Sequence, residues 1–345
     1  MLPNWLLGKS KSKLQEILGG GGGGTDYTAG DGIDISNGII SFDPLTTPAI
    51  DPSKVDGLDD DLAALAPKTA LSNHNILHNP WFNVNQRNFT STSSNSQFPA
   101  DRWIEYANNP NFTITRNSDG TITLDNTNGT EDLMFRQKRT TTYINSLDGM
   151  KVTASIMFSD GTILHGTETF SKTDPVPYIN NDDFQLLSWP YNQSILAILL
   201  HAGKSITIKA LKLEVGEIST LHLDPRPEYA TELAKCQRYF QRLSGTANSS
   251  MIAGYSFATN YARFPLPMPA IMRTLPTLTY SDLADWGVSK NTAANAFTCT
   301  SISIVGRINN VLMLQMGKTD SFTAESHYQL CQLTDGAYLD FSAEL

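Results

Sequence analysis

The chain has 345 residues, a formal charge of −9 and only 17% charged residues, against roughly 25% in an ordinary soluble protein. Its 90 Ser, Thr and Asn residues supply polarity without charge, and its 32 aromatic residues (15 Phe, 12 Tyr, 5 Trp) exclude a disordered chain. The length suits two domains with connecting segments, the composition excludes coiled-coil and all-helical proteins, and the acidic balance with scattered Lys and Arg argues against a nucleic-acid partner.

In chain order, residues 1–24 read as an anchoring peptide and tether. Trp5, Leu6, Leu7, Leu14, Ile17 and Leu18 crowd a stretch too short to make its own core. Gly19–Gly24 then form a flexible tract, because glycine loses the most conformational entropy when ordered. An amphipathic peg on a tether suits docking to another protein; the alternative is a disordered tail. The opening residues lack a basic n-region and a long apolar h-region, so no signal peptide is expected. No run of 18 apolar residues offers a membrane-spanning segment.

Residues 25–72 read as a stalk. Ile33 and Ile35, then Ile40 and Phe42, alternate about Asn37-Gly38, which predicts a hairpin. An isolated hairpin is marginal, so this one needs a neighbour, which identical copies would supply. Val55, Leu58, Leu62 and Leu65 follow at spacings of 3, 4 and 3, an a/d seam suited to a trimer contact or to an ordinary surface helix.

Residues 73–227 are dominated by strands. Alternation at Phe112–Arg116, Ile122–Leu124 and Met150–Phe158, and the apolar run Ile195–Leu200, predict a β-sandwich of jelly-roll type. Ile206 and Ile208 lie on even positions and Leu211, Leu213 and Val215 on odd ones, which predicts a bulge near Ala210. Residues 228–345 are expected to be a helix, Glu228–Leu243, with apolar spacings of 4, 3, 4 and 3, followed by a second β-sandwich built from seven strands between Met251 and Phe341.

Several of these segments resemble bacteriophage tail and fibre proteins. Gly30-Asp-Gly-Ile-Asp-Ile35 resembles their short β-element, and Val55–Leu65 their stalk segments. Asn75-Ile-Leu-His-Asn-Pro-Trp-Phe-Asn-Val-Asn-Gln-Arg87 with Ala100-Asp-Arg-Trp103 is similar to the opening of a β-sandwich module, and Leu213-Glu-Val-Gly-Glu217 to its last strand. Pro225-Arg-Pro227, Glu232-Leu-Ala-Lys-Cys-Gln-Arg-Tyr-Phe-Gln-Arg242 and Met272-Arg-Thr-Leu-Pro-Thr277 look like its C-terminal continuation. The resemblance implies a virion protein, often trimeric, often at the host-contacting end of a tail or head fibre. It brings no agreed catalytic residues, and the hexaglycine tract and the Trp5 peg are not part of the module.

Motifs for chemistry are sparse. Gly203-Lys-Ser205 lacks the preceding glycine of a phosphate loop, with Ile198 in its place, and it leads into a strand. Gly254-Tyr-Ser-Phe-Ala258 lacks the second glycine of a nucleophile elbow. His74 and His78 flank Asn-Ile-Leu without the glutamate of a zinc-protease helix. Cys236, Cys299 and Cys331 match neither a disulfide framework nor a metal site, and read as buried thiols. Of the carboxylate pairs, Asp182-Asp183 reads as a turn, whereas Asp59/Asp61 and Glu228/Glu232 read as solvated helix faces. No enzyme, cofactor or metal is expected.

Binding is the better expectation. Trp189 and Tyr191 in Ser188-Trp-Pro-Tyr-Asn-Gln193, and Tyr280 and Trp286 in Tyr280-Ser-Asp-Leu-Ala-Asp-Trp286, put rings in polar loops, where they can stack on sugars. The alternative is packing against the sandwich ends or a neighbouring subunit. Trp81 and Trp103 lie beside predicted strands and suit the core. The expected protein is therefore a homotrimeric virion-surface fibre made in the bacterial cytoplasm. Residues 1–18 would dock it to a capsid or tail protein, and its β-domains would adhere to a host glycan or surface protein. The alternatives are a structural connector or capsid decoration without a receptor, and a glycan depolymerase.

Overall fold

The structure is a computed structural model that describes residues 33–36, 39–42, 73–107, 111–190, 193–290, 293, 296–318 and 321–345. The proposed anchor residues Trp5, Leu6, Leu7, Leu14, Ile17 and Leu18, the seam Val55, Leu58, Leu62 and Leu65, and Tyr191 lie outside the described residues. Two compact units are present, Met1–Leu65 and Ala66–Leu345. In the first, strands β1 (Ile33–Ser36) and β2 (Ile39–Phe42) pair antiparallel, with Ile33 opposite Phe42 and Ile35 opposite Ile40. That is the hairpin register the alternation predicts.

The second unit opens with the expected sandwich. One sheet has the order β10 (Val176–Asn180), β11 (Phe184–Trp189), β12 (Ser194–Leu200), β7 (Leu133–Lys138), β4 (Trp103–Ala107). The other runs β3 (Ser91–Thr92), β5 (Thr113–Arg116), β6 (Ile122–Asp125), β13 (Ser205–Val215), β8 (Lys151–Phe158), β9 (Ile163–Thr169). Alternate residues of these strands enter one shared core, as period-two side chains on facing antiparallel sheets must. Trp103 stacks on Phe135 at 5.2 Å and 17°, and Phe82 meets Trp103 edge-on at 5.6 Å. The indole N–H of Trp103 donates to the Asn79 carbonyl at 3.0 Å, so the buried ring loses no hydrogen bond. The register shifts between Ile208 and Ala210, placing the bulge where the parity change predicts it.

Part of the outer face of the six-stranded sheet is also covered. Lys212 and Glu214 alternate with the core residues of β13, yet both are fully buried. The segment after β13 folds back over them. The Lys212 ammonium lies 2.8 Å from Asp224, 3.6 Å from Glu214 and 2.8 Å from the Thr220 hydroxyl. Satisfying a buried charge in this way avoids the desolvation penalty that an unpaired one would carry.

Two helices are short. Helix α1 (Thr141–Ser146) begins at Thr140, whose side chain accepts from the Tyr143 amide. Helix α2 (Tyr229–Gln237) corrects the expectation of a helix continuing to Leu243. It stops six residues earlier, and β14 (Phe240–Leu243) instead pairs with β22 (Leu339–Ser342). Ladder bonds to a strand about a hundred residues away outweigh the local apolar spacing, which is a weak preference of a few tenths of a kcal/mol per residue.

The remainder also departs from expectation. Instead of a second sandwich, β15 (Ser249–Ser256), β16 (Ala262–Pro267), β20 (Val311–Lys318), β19 (Phe297–Ile308), β18 (Trp286–Ser289) and β21 (Ser326–Gln332) close into a barrel. Pairing of β21 back onto β15 removes the free edges an open sheet would leave. A three-stranded sheet, β14, β22 and β17 (Thr277–Tyr280), accompanies it and shares its core.

Sandwich and barrel are joined by a charged and aromatic junction. Arg87 lies 3.2 Å from Asp101 and 3.5 Å from Glu344, and its guanidinium covers the Phe240 ring at 3.5 Å. Arg102 pairs with Glu344 and lies 3.5 Å from the centre of the Tyr239 ring. Arg242 binds Asp340 through two nitrogens at 2.7 and 2.6 Å and donates to the Arg87 carbonyl at 2.9 Å. His78, edge-on to Tyr239 at 5.7 Å, is pushed down to about 2 by burial and by Arg139, Arg102, Lys235 and Arg238, so it stays neutral among cations.

Removing one partner of a buried pair leaves the other charge uncompensated. Arg102→Ala is expected to lower the unfolding free energy by about 3 kcal/mol in urea denaturation. Lys172→Ala breaks only the exposed pair with Asp148 and is expected to leave the unfolding midpoint nearly unchanged. Equal losses in the two variants would remove the junction from its central place in the fold.

Candidate functional site

Asp59 and Asp61 lie outside the described residues, and the described groups considered for catalysis are dispersed. Asp182 and Asp183 are exposed, and Asp183 pairs with Lys204 at 2.7 Å. Glu232, expected on a solvated face, is buried; it accepts from the Asn79 amide at 2.7 Å and pairs with Lys235 at 2.5 Å. The reason is that α2 packs its Glu232 and Cys236 face inward, leaving Tyr229 exposed. His74 is exposed while His78 belongs to the junction. Cys236, Cys299 and Cys331 are buried free thiols, and among the described residues no cluster of His, Cys, Asp and Glu suits a metal ion.

Of the rings considered for binding, the three described ones separate as well. Tyr280 ends β17 and packs half-buried on the barrel core. Trp286 is fully buried, against the expectation of a loop ring. A single helical turn, Leu283–Asp285, capped by Asp282, swings the chain back so that Trp286 begins a barrel strand. Trp189 is the ring that lines a groove.

That groove lies on the outer face of the five-stranded sheet and encloses about 650 Å³. Strand register builds it. Tyr106 on β4 stands opposite Met134 on β7, which stands opposite Leu199 on β12. In the next row Arg136 on β7 stands opposite Ala197, and Ala197 opposite Leu187. Trp189 ends β11, just past the shift in register that follows Leu187. Met134, Leu187 and Ala197 form a small apolar cluster against which Trp189 and Leu199 pack. An outward-facing antiparallel sheet ordinarily presents polar residues to water. Here it presents an apolar floor with Tyr106 46% exposed at its side.

Polar groups converge on that floor. The Arg136 guanidinium lies 5.7 Å from the Tyr106 ring and donates to the Ser194 hydroxyl at 3.4 Å. Its Nε is buried and meets no acceptor, and among the described residues no carboxylate pairs with it. Burial pushes the Arg136 pKa down, and the Tyr106 hydroxyl opposes that shift. Glu131 and Asp132 line the same groove, with Asp132 held 3.3 Å from His201. Two rings, a guanidinium and two carboxylates above an apolar floor can stack a sugar face and bond its hydroxyls.

Sequence reasoning missed Tyr106, Arg136 and Met134. The signal was present in Trp103-Ile-Glu-Tyr-Ala107, where alternation with a buried Trp103 requires Tyr106 to face outward. It was obscured by Glu105, which shares the inward parity of Trp103. Glu105 is fully buried and accepts from the Gln97 amide at 2.7 Å. Burial raises its pKa from 4.5 to about 7, opposed by that amide.

No known protein family, curated protein or solved structure matches the chain.

Between pH 4.5 and about 7 the folded chain keeps the Glu105 proton that the unfolded chain releases, so this residue's stabilising contribution is lost as pH rises through that window. Glu105→Gln is expected to be more stable than the parent at pH 8 by about 2–3 kcal/mol and equal to it near pH 4.5, measured by thermal unfolding across pH. An unchanged difference between the two proteins at both pH values would contradict this account of Glu105.

Proposed function

We propose that this chain is a non-enzymatic virion fibre protein that adheres to glycans of a bacterial surface through the Trp189 groove. The observation that carries the reading is an apolar outer sheet face flanked by Trp189 and Tyr106, with Arg136 paired to no carboxylate among the described residues. The phage-fibre part of the reading rests on the sequence resemblance, and it is supported by a β-rich fold of the kind that resemblance implies. In this reading residues 1–18 dock to a capsid or tail protein. The hairpin and the Val55–Leu65 seam associate three copies, so three weak sites gain effective concentration on one fibre. A supporting feature is the neutral Ser-, Thr- and Asn-rich composition.

A second reading has its own observation. The same apolar floor would also suit a neighbouring copy, which would make the protein a structural connector or capsid decoration. The two are separated by binding of the full chain to an array of bacterial lipopolysaccharide and capsule oligosaccharides, alongside light scattering. Adhesion predicts glycan binding that Trp189→Ala and Tyr106→Ala each weaken at least tenfold, about 1.4 kcal/mol, at unchanged oligomeric state. Loss of the oligomer in Trp189→Ala, with no glycan bound by the parent, would establish the connector instead. New reducing ends in the oligosaccharides would establish a depolymerase.

A further inference from the structure

A second arrangement of rings lies on the outer wall of the barrel, built on strands distinct from those of the sandwich groove. Four neighbouring strands place His327, Tyr255, Arg263 and Gln315 in one lateral row: His327 opposite Tyr255, Tyr255 opposite Arg263, Arg263 opposite Gln315. Alternation sends this row outward, because Phe264, Leu314 and Tyr328, each adjacent to a member of the row, are buried in the barrel core. The Tyr255 ring meets Phe257 edge-on at 4.9 Å and His327 edge-on at 5.3 Å. With Pro265 and Met313 beside them they bound a notch of about 370 Å³.

Two features of the notch go beyond what packing requires. Phe257 is 61% exposed, a large apolar surface left in water beside two other rings. Arg263 projects into this apolar setting with one side-chain hydrogen bond, from its Nε to Gln315 at 3.4 Å, and a Tyr261 ring 5.2 Å away. Among the described residues no carboxylate pairs with it. Gly254 makes the close approach of the strands possible, because a Cβ there would lie 2.4 Å from both the Arg263 carbonyl oxygen and the Phe264 ring.

We propose that this notch is a carbohydrate subsite that takes an acidic sugar, one carrying a carboxylate. The sugar's apolar face stacks on Tyr255 and Phe257, and its carboxylate is bound by the Arg263 guanidinium in a charge-assisted pair. A neutral sugar would leave that guanidinium against an apolar wall without gain. The size of the notch limits it to one or two sugar residues, within the range of small-ligand sites. The inference is independent of the Trp189 groove and stands or falls on other residues.

The test is titration calorimetry of the full chain with three acidic probes, tri-galacturonate, a hyaluronan tetrasaccharide and 3′-sialyllactose, and with methyl-esterified tri-galacturonate as the uncharged counterpart. The expected result is that at least one acidic probe binds. Tri-galacturonate, if it is that probe, binds at least tenfold more tightly than its ester; for another probe, reduction of its carboxylate to the alcohol gives the same loss. Arg263→Met abolishes the preference, with Arg263→Gln as the substitute should the methionine variant unfold at a lower temperature. Tyr255→Ala weakens binding at least tenfold, and Trp189→Ala leaves the preference intact. Failure of all three acidic probes to bind overturns the proposal. So does equal affinity for charged and uncharged forms, a preference that survives loss of Arg263, or a preference that is lost with Trp189 instead.

Discussion

The architecture of the described residues from 73 onward depends on a small number of buried charges between the sandwich and the barrel. Arg87 and Arg102 come from the N-terminal side; Glu344, Tyr239 and Phe240 come from the C-terminal side. Each guanidinium lies over a ring and directs nitrogens at a carboxylate, so both a face and an edge are used. A lysine could do only one of these, since its ammonium has no planar fork. Glu344, just past β22, thereby ties the three-stranded sheet to the first loop of the sandwich. Neutral His78 is a consequence: burial first, and then the charges of Arg139, Arg102, Lys235 and Arg238, disfavour an added proton there.

That junction reinterprets the segments on which the family resemblance rests. Asn79, Gln86, Arg87, Asp101 and Arg102 from the sandwich opening, and Glu232, Tyr239, Phe240 and Arg242 from the helix motif, meet one another in space. The distinctive residues therefore hold domains together. The groups suited to recognition, Trp189, Tyr106 and Arg136 on one sheet and Tyr255, Phe257 and Arg263 on the barrel wall, lie outside those motifs. Binding surfaces on outward sheet faces can vary in sequence while the core parity beneath them stays constant, because alternate residues of a strand answer to different constraints.

Much of the fold was legible in the chain itself. The period-two faces of Lys151–Phe158, the apolar run of Ile195–Leu200, the bulge before Ala210 and the Ile33–Phe42 hairpin each follow from side-chain parity alone. The site was legible only in part. Trp189 stood out as a ring among polar residues, but Trp286 stood out for the same reason and lies in the barrel core. Composition of a loop does not say which way its ring turns. Tyr106 and Arg136 looked like ordinary alternating strand residues, and their significance arises only when β4, β7, β12 and β11 are set side by side.

The low-charge, turn-rich chain by itself determined a β protein, the position of most strands and which residues of each strand face a core. These are local consequences of alternation, steric preference and turn chemistry. Whether the C-terminal strands would lie as an open sandwich or close into a barrel was decided by tertiary structure. So were the conversion of Phe240–Leu243 from helix to strand and the burial of Glu232 and Trp286. In each case the outcome depends on pairing with residues roughly 50 to 150 positions away, and hydrogen bonds and burial gained over that separation exceed any preference written into a short window.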